Sequence, residues 1–176
     1  YKKNKNKKIT IDKMPLNLVH VGEILRFFPN AKFILALRHP YDCVLSCFMQ
    51  NFMLNHAMAN FLNLDDTLKL YDLTMSLWKK YTNVFKIDHH LIRYEDVVSN
   101  FKKTIGDLLK FLNVKWSDNV IEFYKTAEKR GIINTPSYNQ VSQPIYSNSM
   151  YRWKNYEKEF AKSNISLEKW VKEFNY

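Results

Sequence analysis

Residues 33–37 read FILAL, an unbroken apolar run that passes directly into Arg38, with Pro40 two positions further on. Bounded by Pro29-Asn30 on one side and a charge on the other, the run is too short for a buried helix. It reads as a strand covered on both faces. Strands of that kind occur in parallel sheets, where helices shield both sides. A helix-like segment follows the proline and carries Ser46 eight residues beyond the arginine. The chain thus places a permanent cation between the end of a buried strand and the start of a helix, and the rest of the fold has to accommodate that charge.

The remaining segments alternate in the same sense. Residues 9–11 (ITI) read as a short strand, residues 17–28 carry Leu18, Val21, Leu25 and Phe28 at helical spacing, and residues 41–51 continue as a helix. Asp65 opens a longer helix to about Phe85, with Leu68, Leu73, Leu77 and Trp78 on or near one face. Residues 90–93 (HLIR) form a further strand, and residues 101–112 and 118–129 read as amphipathic helices. Residues 130–148 read as a loop, and 150–160 and 167–174 as closing helices. This alternation predicts an α/β fold, one parallel sheet flanked by helices. A chain of 176 residues suits one domain, here residues 9–176, behind a basic start at 1–8 without fixed structure.

Charge narrows the partners. The formal net charge is +10, and five of the lysines fall within the opening YKKNKNKK, which reads as a solvated tail. The field of the remaining domain favours an anionic ligand such as a nucleotide or a sulfated sugar. Nucleic acid is not the expected partner, because the other basic residues are spread along the sequence and no zinc-finger spacing, RNA-binding aromatic signature or basic leucine zipper occurs. No apolar run approaches the roughly 20 residues of a membrane-spanning helix, so no span is expected. Cys43 and Cys47, four apart on one helix, are poorly placed for a disulfide, and with only His39 nearby no metal site is expected. Sparse cysteine favours a reducing compartment, and a cytoplasmic location is the expectation.

In open parallel sheets ligands sit beyond the carboxyl ends of the strands, where Arg38 is placed. Its guanidinium beside a helix N-terminus makes a fork suited to phosphate, and Ser46, eight residues on, can add a hydroxyl. From the residues alone an alternative stands equally: Arg38 pairs with Asp42, Glu95 or Asp96 and fastens loops.

The segment TIDKMPLNLVHVGEILRFFPNAKFILALRHPYDCVLSCF resembles the central part of sulfotransferases that use the donor 3′-phosphoadenylyl sulfate. It is most similar to the branch that contains tyrosylprotein sulfotransferases and bacterial sulfotransferases fused to tetratricopeptide repeats. The shared pattern is a lysine-proline turn, a helix ending in FPNAK, an apolar strand, and Arg-x-Pro with a serine eight residues after the arginine. Downstream, LIRYEDVV and SYNQVSQPIYSNSMYRW follow the same branch, so the resemblance runs from Thr10 to Tyr156. It implies a P-loop NTPase-like sulfotransferase fold.

The resemblance also implies roles residue by residue. Arg38 and Ser46 fall on the pair that holds the donor's 3′-phosphate. Lys13 falls on the lysine that contacts the sulfate and its leaving oxygen. Tyr94 matches a tyrosine near the bound nucleotide, Ser137 a serine near the transferred group, and Arg152 a basic residue that reaches the nucleotide. Trp153 reads as packing. Two family features have no counterpart in residues 1–176: the phosphate-cradling loop after the first strand, and the glutamate base that follows it. Gly22, Gly106 and Gly131 are isolated and build no cradle. Pro15 stands where cytosolic small-molecule sulfotransferases carry a base histidine, and His20 lies on the helix. The chain is therefore expected to be about the C-terminal two thirds of a catalytic domain, without its N-terminal strand and phosphosulfate loop, and inactive by itself. Tetratricopeptide repeats further upstream are a possible companion of that branch.

The activity implied is transfer of a sulfuryl group from 3′-phosphoadenylyl sulfate to an acceptor hydroxyl or amine, leaving adenosine 3′,5′-bisphosphate, without a metal. Lys13 and Ser137 would stabilise developing charge, while Arg38, Ser46, Tyr94 and Arg152 hold the nucleotide. A protein tyrosine, a saccharide and a small molecule all remain open as acceptor. Two other readings stand beside it: a P-loop kinase-like nucleotide enzyme, and a non-catalytic basic module that grips anionic polymers.

Overall fold

The computed structural model describes residues 9–124, 145 and 147–176. Pro15 opens a 3₁₀ turn, Pro15–His20, which runs into helix α1, Val21–Phe27. FILAL forms strand β1 at its expected bounds, Phe33–Leu37, and Pro40 sits in the first turn of α2, Pro40–Phe48. There follow α3 (Leu64–Val84), β2 (His89–Arg93), α4 (Tyr94–Ser99) and α5 (Phe101–Phe111). Two short helices, Glu157–Phe160 and Glu168–Glu173, close the chain.

β1 and β2 pair in parallel, with Phe33 opposite His89 and Leu37 opposite Arg93. Parallel partners need a crossover, and α2 and α3 supply it. The result is a helix-covered small parallel sheet of the α/β kind. α3 is the main cover. The Asn63 side chain accepts from the backbone N–H of Asp65 at 2.8 Å and of Asp66 at 3.3 Å, and the two aspartates add negative charge at the positive end of the helix. Its buried stripe is Leu68, Tyr71, Met75 and Trp78, at alternating spacings of three and four. Leu73, expected near that stripe, is 57% exposed, because five positions from Leu68 it lies about 140° around the helix. β1 contributes Leu35 and Leu37 to the same core, α2 contributes Val44 and Leu45, and the C-terminal segment adds Phe160, Leu167, Trp170 and Phe174. At Gly22 the α1 backbone comes close to α3: a Cβ there would stand 3.1 Å from the Tyr81 ring, whose hydroxyl donates to Val19 O at 3.1 Å.

Several expectations are corrected. Residues 9–11 form no strand; Ile9 and Ile11 are 50% and 74% exposed. Three β-favouring residues make a strand only where a neighbour offers its backbone, and among the described residues none does. Among the described residues β1 is covered on one face only, since Ile34 on the other is 39% exposed. The segment expected as one helix over 150–160 is split: Tyr151 takes a left-handed φ of 54°, a 3₁₀ turn spans Arg152–Tyr156, and the α-helix begins only at Glu157. α4 was not expected, because HLIRYEDVV reads as a strand followed by charge. The expected helix at 118–129 is described only to residue 124, with a 3₁₀ turn at Asp118–Val120. Ser137 and most of the expected 130–148 loop lie outside the described residues. No helix among the described residues is long and apolar enough to cross a membrane.

Candidate anion-binding site

Just past the Leu37–Arg93 pair, where the ladder ends, Arg38 and His39 meet Tyr94 and Glu95, the first residues after β2. The Arg38 guanidinium lies 5.5 Å from the centre of the Tyr94 ring. The carboxylate of Glu95, only 5% exposed, accepts the backbone N–H of His39 at 3.0 Å. Arg38 also donates through Nη2 to the carbonyl of Ser149. From α2, the Asp42 carboxylate, 1% exposed, accepts the backbone N–H of Trp153 at 2.8 Å across 111 residues. These bonds hold the 149–153 segment against the start of α2. Aromatic rings complete the closure: the His39 ring stacks on Trp153 at 5.1 Å, and Tyr41 stacks on Trp153 at 4.9 Å.

The carboxylate pair weighed for Arg38 is made, among the described residues, by another arginine. Arg93 pairs with Asp96 through both Nε and Nη2, each at 2.8 Å, and donates to the carbonyls of Phe174 and Asn175 at 3.2 and 2.6 Å. Asp42 and Glu95, named from sequence only as candidate partners of Arg38, bind backbone N–H groups instead. The spacing Arg-x-x-Asp in RYED was the available signal for the Arg93 pair.

A cavity of about 220 Å³ opens at this closure, lined by Arg38, Ser46 and Arg152 with Asp42, Leu45, Met49 and Gln50. The α2 contributors follow one helix face, so Ser46 lies two turns along from the arginine. Arg152 comes from the far segment, its Nη2 4.0 Å from Met49 Sδ. Arg38 Nε is buried without a hydrogen-bond partner among the described residues. The pocket therefore offers two guanidinium groups and a hydroxyl, a donor set for a phosphate, beside an Asp42 carboxylate that is taken up by the Trp153 N–H. Its volume is below that of a pocket enclosing a whole drug-sized ligand, and suits a phosphate with adjoining sugar atoms. A larger cavity, about 410 Å³, lies between α3 and the last helix. Two of its lysines are already neutralised, Lys79 by Glu173 at 2.7 Å and Lys169 by Asp72 at 2.6 Å, so it is the weaker anion site.

The titration of nearby groups reflects the same surroundings. Burial pushes the His39 imidazole below its usual pKa, against the pull of Asp42 and Glu95. On α2 the hydrogen bond from Cys43 draws the Cys47 thiol down, with help from the Arg38 charge, while that same bond and burial raise Cys43.

The family model for sulfotransferases matches residues 1–118. The chain belongs to the sulfotransferase family. Among curated relatives, an uncharacterized protein of Aquifex aeolicus is 33% identical over 84% of the chain and 19% of its own length. Protein-tyrosine sulfotransferase 1 of Danio rerio is 27% identical over 81% of the chain and 41% of its length. Protein-tyrosine sulfotransferase 2 of Gallus gallus is 25% identical over 81% of the chain and 39% of its length. The chain thus spans between 19% and 41% of the length of these relatives.

Within this family member, three of the expected nucleotide residues, Arg38, Ser46 and Arg152, line one cavity. Tyr94 stands behind Arg38 and not in the cavity lining. Lys13 is exposed on the segment 9–14, which forms no helix or ladder, and is not in the lining. Among the described residues no group of three or more His, Cys, Asp or Glu comes together to hold a metal.

Proposed function

We propose that this sulfotransferase chain carries the 3′-phosphate half of a donor site, and that the complete protein transfers a sulfuryl group from 3′-phosphoadenylyl sulfate to an acceptor hydroxyl or amine. The observation that carries the reading is the convergence of Arg38, Ser46 and Arg152, from two segments more than a hundred residues apart, on one phosphate-sized cavity at the end of β1. A fork-shaped cation and a hydroxyl recognise a phosphate monoester with fixed direction, and a second guanidinium neutralises its remaining charge. Tyr94 stacks behind Arg38 and limits the tilt of its guanidinium.

In this reading, binding positions the donor so that its sulfuryl group meets the acceptor in line, and charge grows on the phosphate oxygen that leaves. Lys13 and Ser137 stabilise that oxygen. The cradle for the 5′-phosphosulfate and the base that takes the acceptor proton are assigned to sequence outside these 176 residues. The acceptor class is open, a tyrosine side chain being the one the vertebrate relatives are named for.

Calorimetry on the full-length protein tests the reading. Adenosine 3′,5′-bisphosphate is expected to bind at least about tenfold more tightly than adenosine 5′-monophosphate, since the monophosphate lacks the anion that Arg38 would meet. Equal affinities would remove the assignment.

A further inference from the structure

The buried carboxylate of Glu95 touches no part of the cavity, yet it stands at the one place where the cavity's key arginine is aimed. The β1–β2 ladder ends at the Leu37–Arg93 pair, and the next residues, Arg38 and His39, would leave the sheet with no backbone partner on β2. Glu95 replaces that partner with its side chain: Oε1 accepts the His39 N–H at 3.0 Å, the rung that follows the last strand pair. The preceding residue, Tyr94, sets its ring 5.5 Å from the Arg38 guanidinium. Consecutive residues after β2 thereby fix consecutive residues after β1, one through the backbone and one through the charged group. Glu95 is 5% exposed, so its bond is shielded from water, and a buried donor left without an acceptor is costly.

We infer that Glu95 is a positioning residue for 3′-phosphate recognition: its bond to the His39 N–H sets the exit angle of the chain after β1 and so the direction of the Arg38 fork. This rests on the donor-site reading above. The effect is directional. A fork that makes two parallel bonds to phosphate loses them when its base rotates, whereas contacts to the rest of a nucleotide come from elsewhere and are spared.

The test uses full-length protein, calorimetry, and the two probes adenosine 3′,5′-bisphosphate and adenosine 5′-monophosphate. Glu95→Met keeps the volume and removes the acceptor, while Glu95→Gln keeps an oxygen that can accept the same N–H. Glu95→Met is expected to lower bisphosphate affinity by about tenfold with monophosphate affinity within about twofold, and Glu95→Gln to retain the preference. An equal loss for both probes in Glu95→Met, or an undiminished preference, overturns the inference. So does loss of the preference in Glu95→Gln. Should the unaltered protein show no preference, the donor-site reading itself fails, a distinct result. If Glu95→Met does not fold, amide exchange at His39 in the unaltered protein decides: bisphosphate should slow it by at least about tenfold more than monophosphate does, and equal exchange overturns the proposal.

Discussion

The turn after β1 and the segment before the first 3₁₀ turn both carry residues assigned by the same sulfotransferase resemblance, and the fold treats them differently. Around Arg38 the backbone is held by Glu95, the 149–153 segment by Asp42, and the ring of His39 by Trp153. Around Lys13 there is no ladder, no helix and no burial. The difference is in keeping with the two roles in the proposed reaction. Arg38 meets a phosphate that does not change during transfer, so rigidity in the free protein lowers the cost of binding. In the same proposed reaction Lys13 would act on charge that appears only as the sulfuryl group moves, so its partner forms only with the donor bound.

That contrast can be broken by mutation. The largest effect is expected from Lys13→Ala in the full-length enzyme, a fall in kcat on the order of 10² to 10³ with a modest change in donor KM. Steady-state kinetics at saturating acceptor would show it, and an unchanged kcat would take Lys13 out of the reaction. Arg38→Ala should act on the other parameter, raising donor KM and weakening adenosine 3′,5′-bisphosphate by roughly 1.5 to 3 kcal/mol, about ten- to 150-fold. A kcat loss with unaltered donor affinity would contradict the division of labour.

A smaller effect is expected from the clasp that holds Arg152. Asp42→Ala strands the Trp153 N–H and removes a charge beside the arginines, and denaturant unfolding should report a loss of about 1 to 3 kcal/mol. Ser46→Ala should cost only about 0.5 to 1.5 kcal/mol of bisphosphate affinity by calorimetry, with folding stability unaltered, since Ser46 is exposed. The smallest effect concerns pH. Burial lowers the pKa of His39 in the folded state, so the unfolded chain takes up its proton first. The imidazole's contribution is complete above its unfolded pKa of about 6.5 and declines as pH falls toward the folded value. Denaturation midpoints measured between pH 7 and 5 should fall less steeply in His39→Asn than in the unaltered protein.

Much of the local architecture was legible. FILAL became β1 residue for residue, HLIR lies within β2, and the helix expected from Asp65 to about Phe85 is α3 with a shift of one position at each end. Each rests on an apolar run or a periodicity that a single short segment carries by itself. The failures are of another kind. Among the described residues ITI has strand propensity and no neighbour, the outer face of β1 has strand pattern and no cover, and Leu73 has the right chemistry on the wrong side of its helix.

The candidate site divides along the same line. A strand ending in Arg38, a proline-started helix and a serine two turns along are consequences of contiguous sequence, because the apolar run, the absent proline N–H and the 3.6-residue turn all act within a few residues. That Arg152 enters the same cavity, that Asp42 and Glu95 serve backbone N–H groups in place of Arg38, and that Arg93 takes Asp96 were decided only by tertiary structure. Those choices depend on which donors lose water together when segments distant along the chain pack, and burial makes an unpartnered N–H expensive enough to select one carboxylate over another.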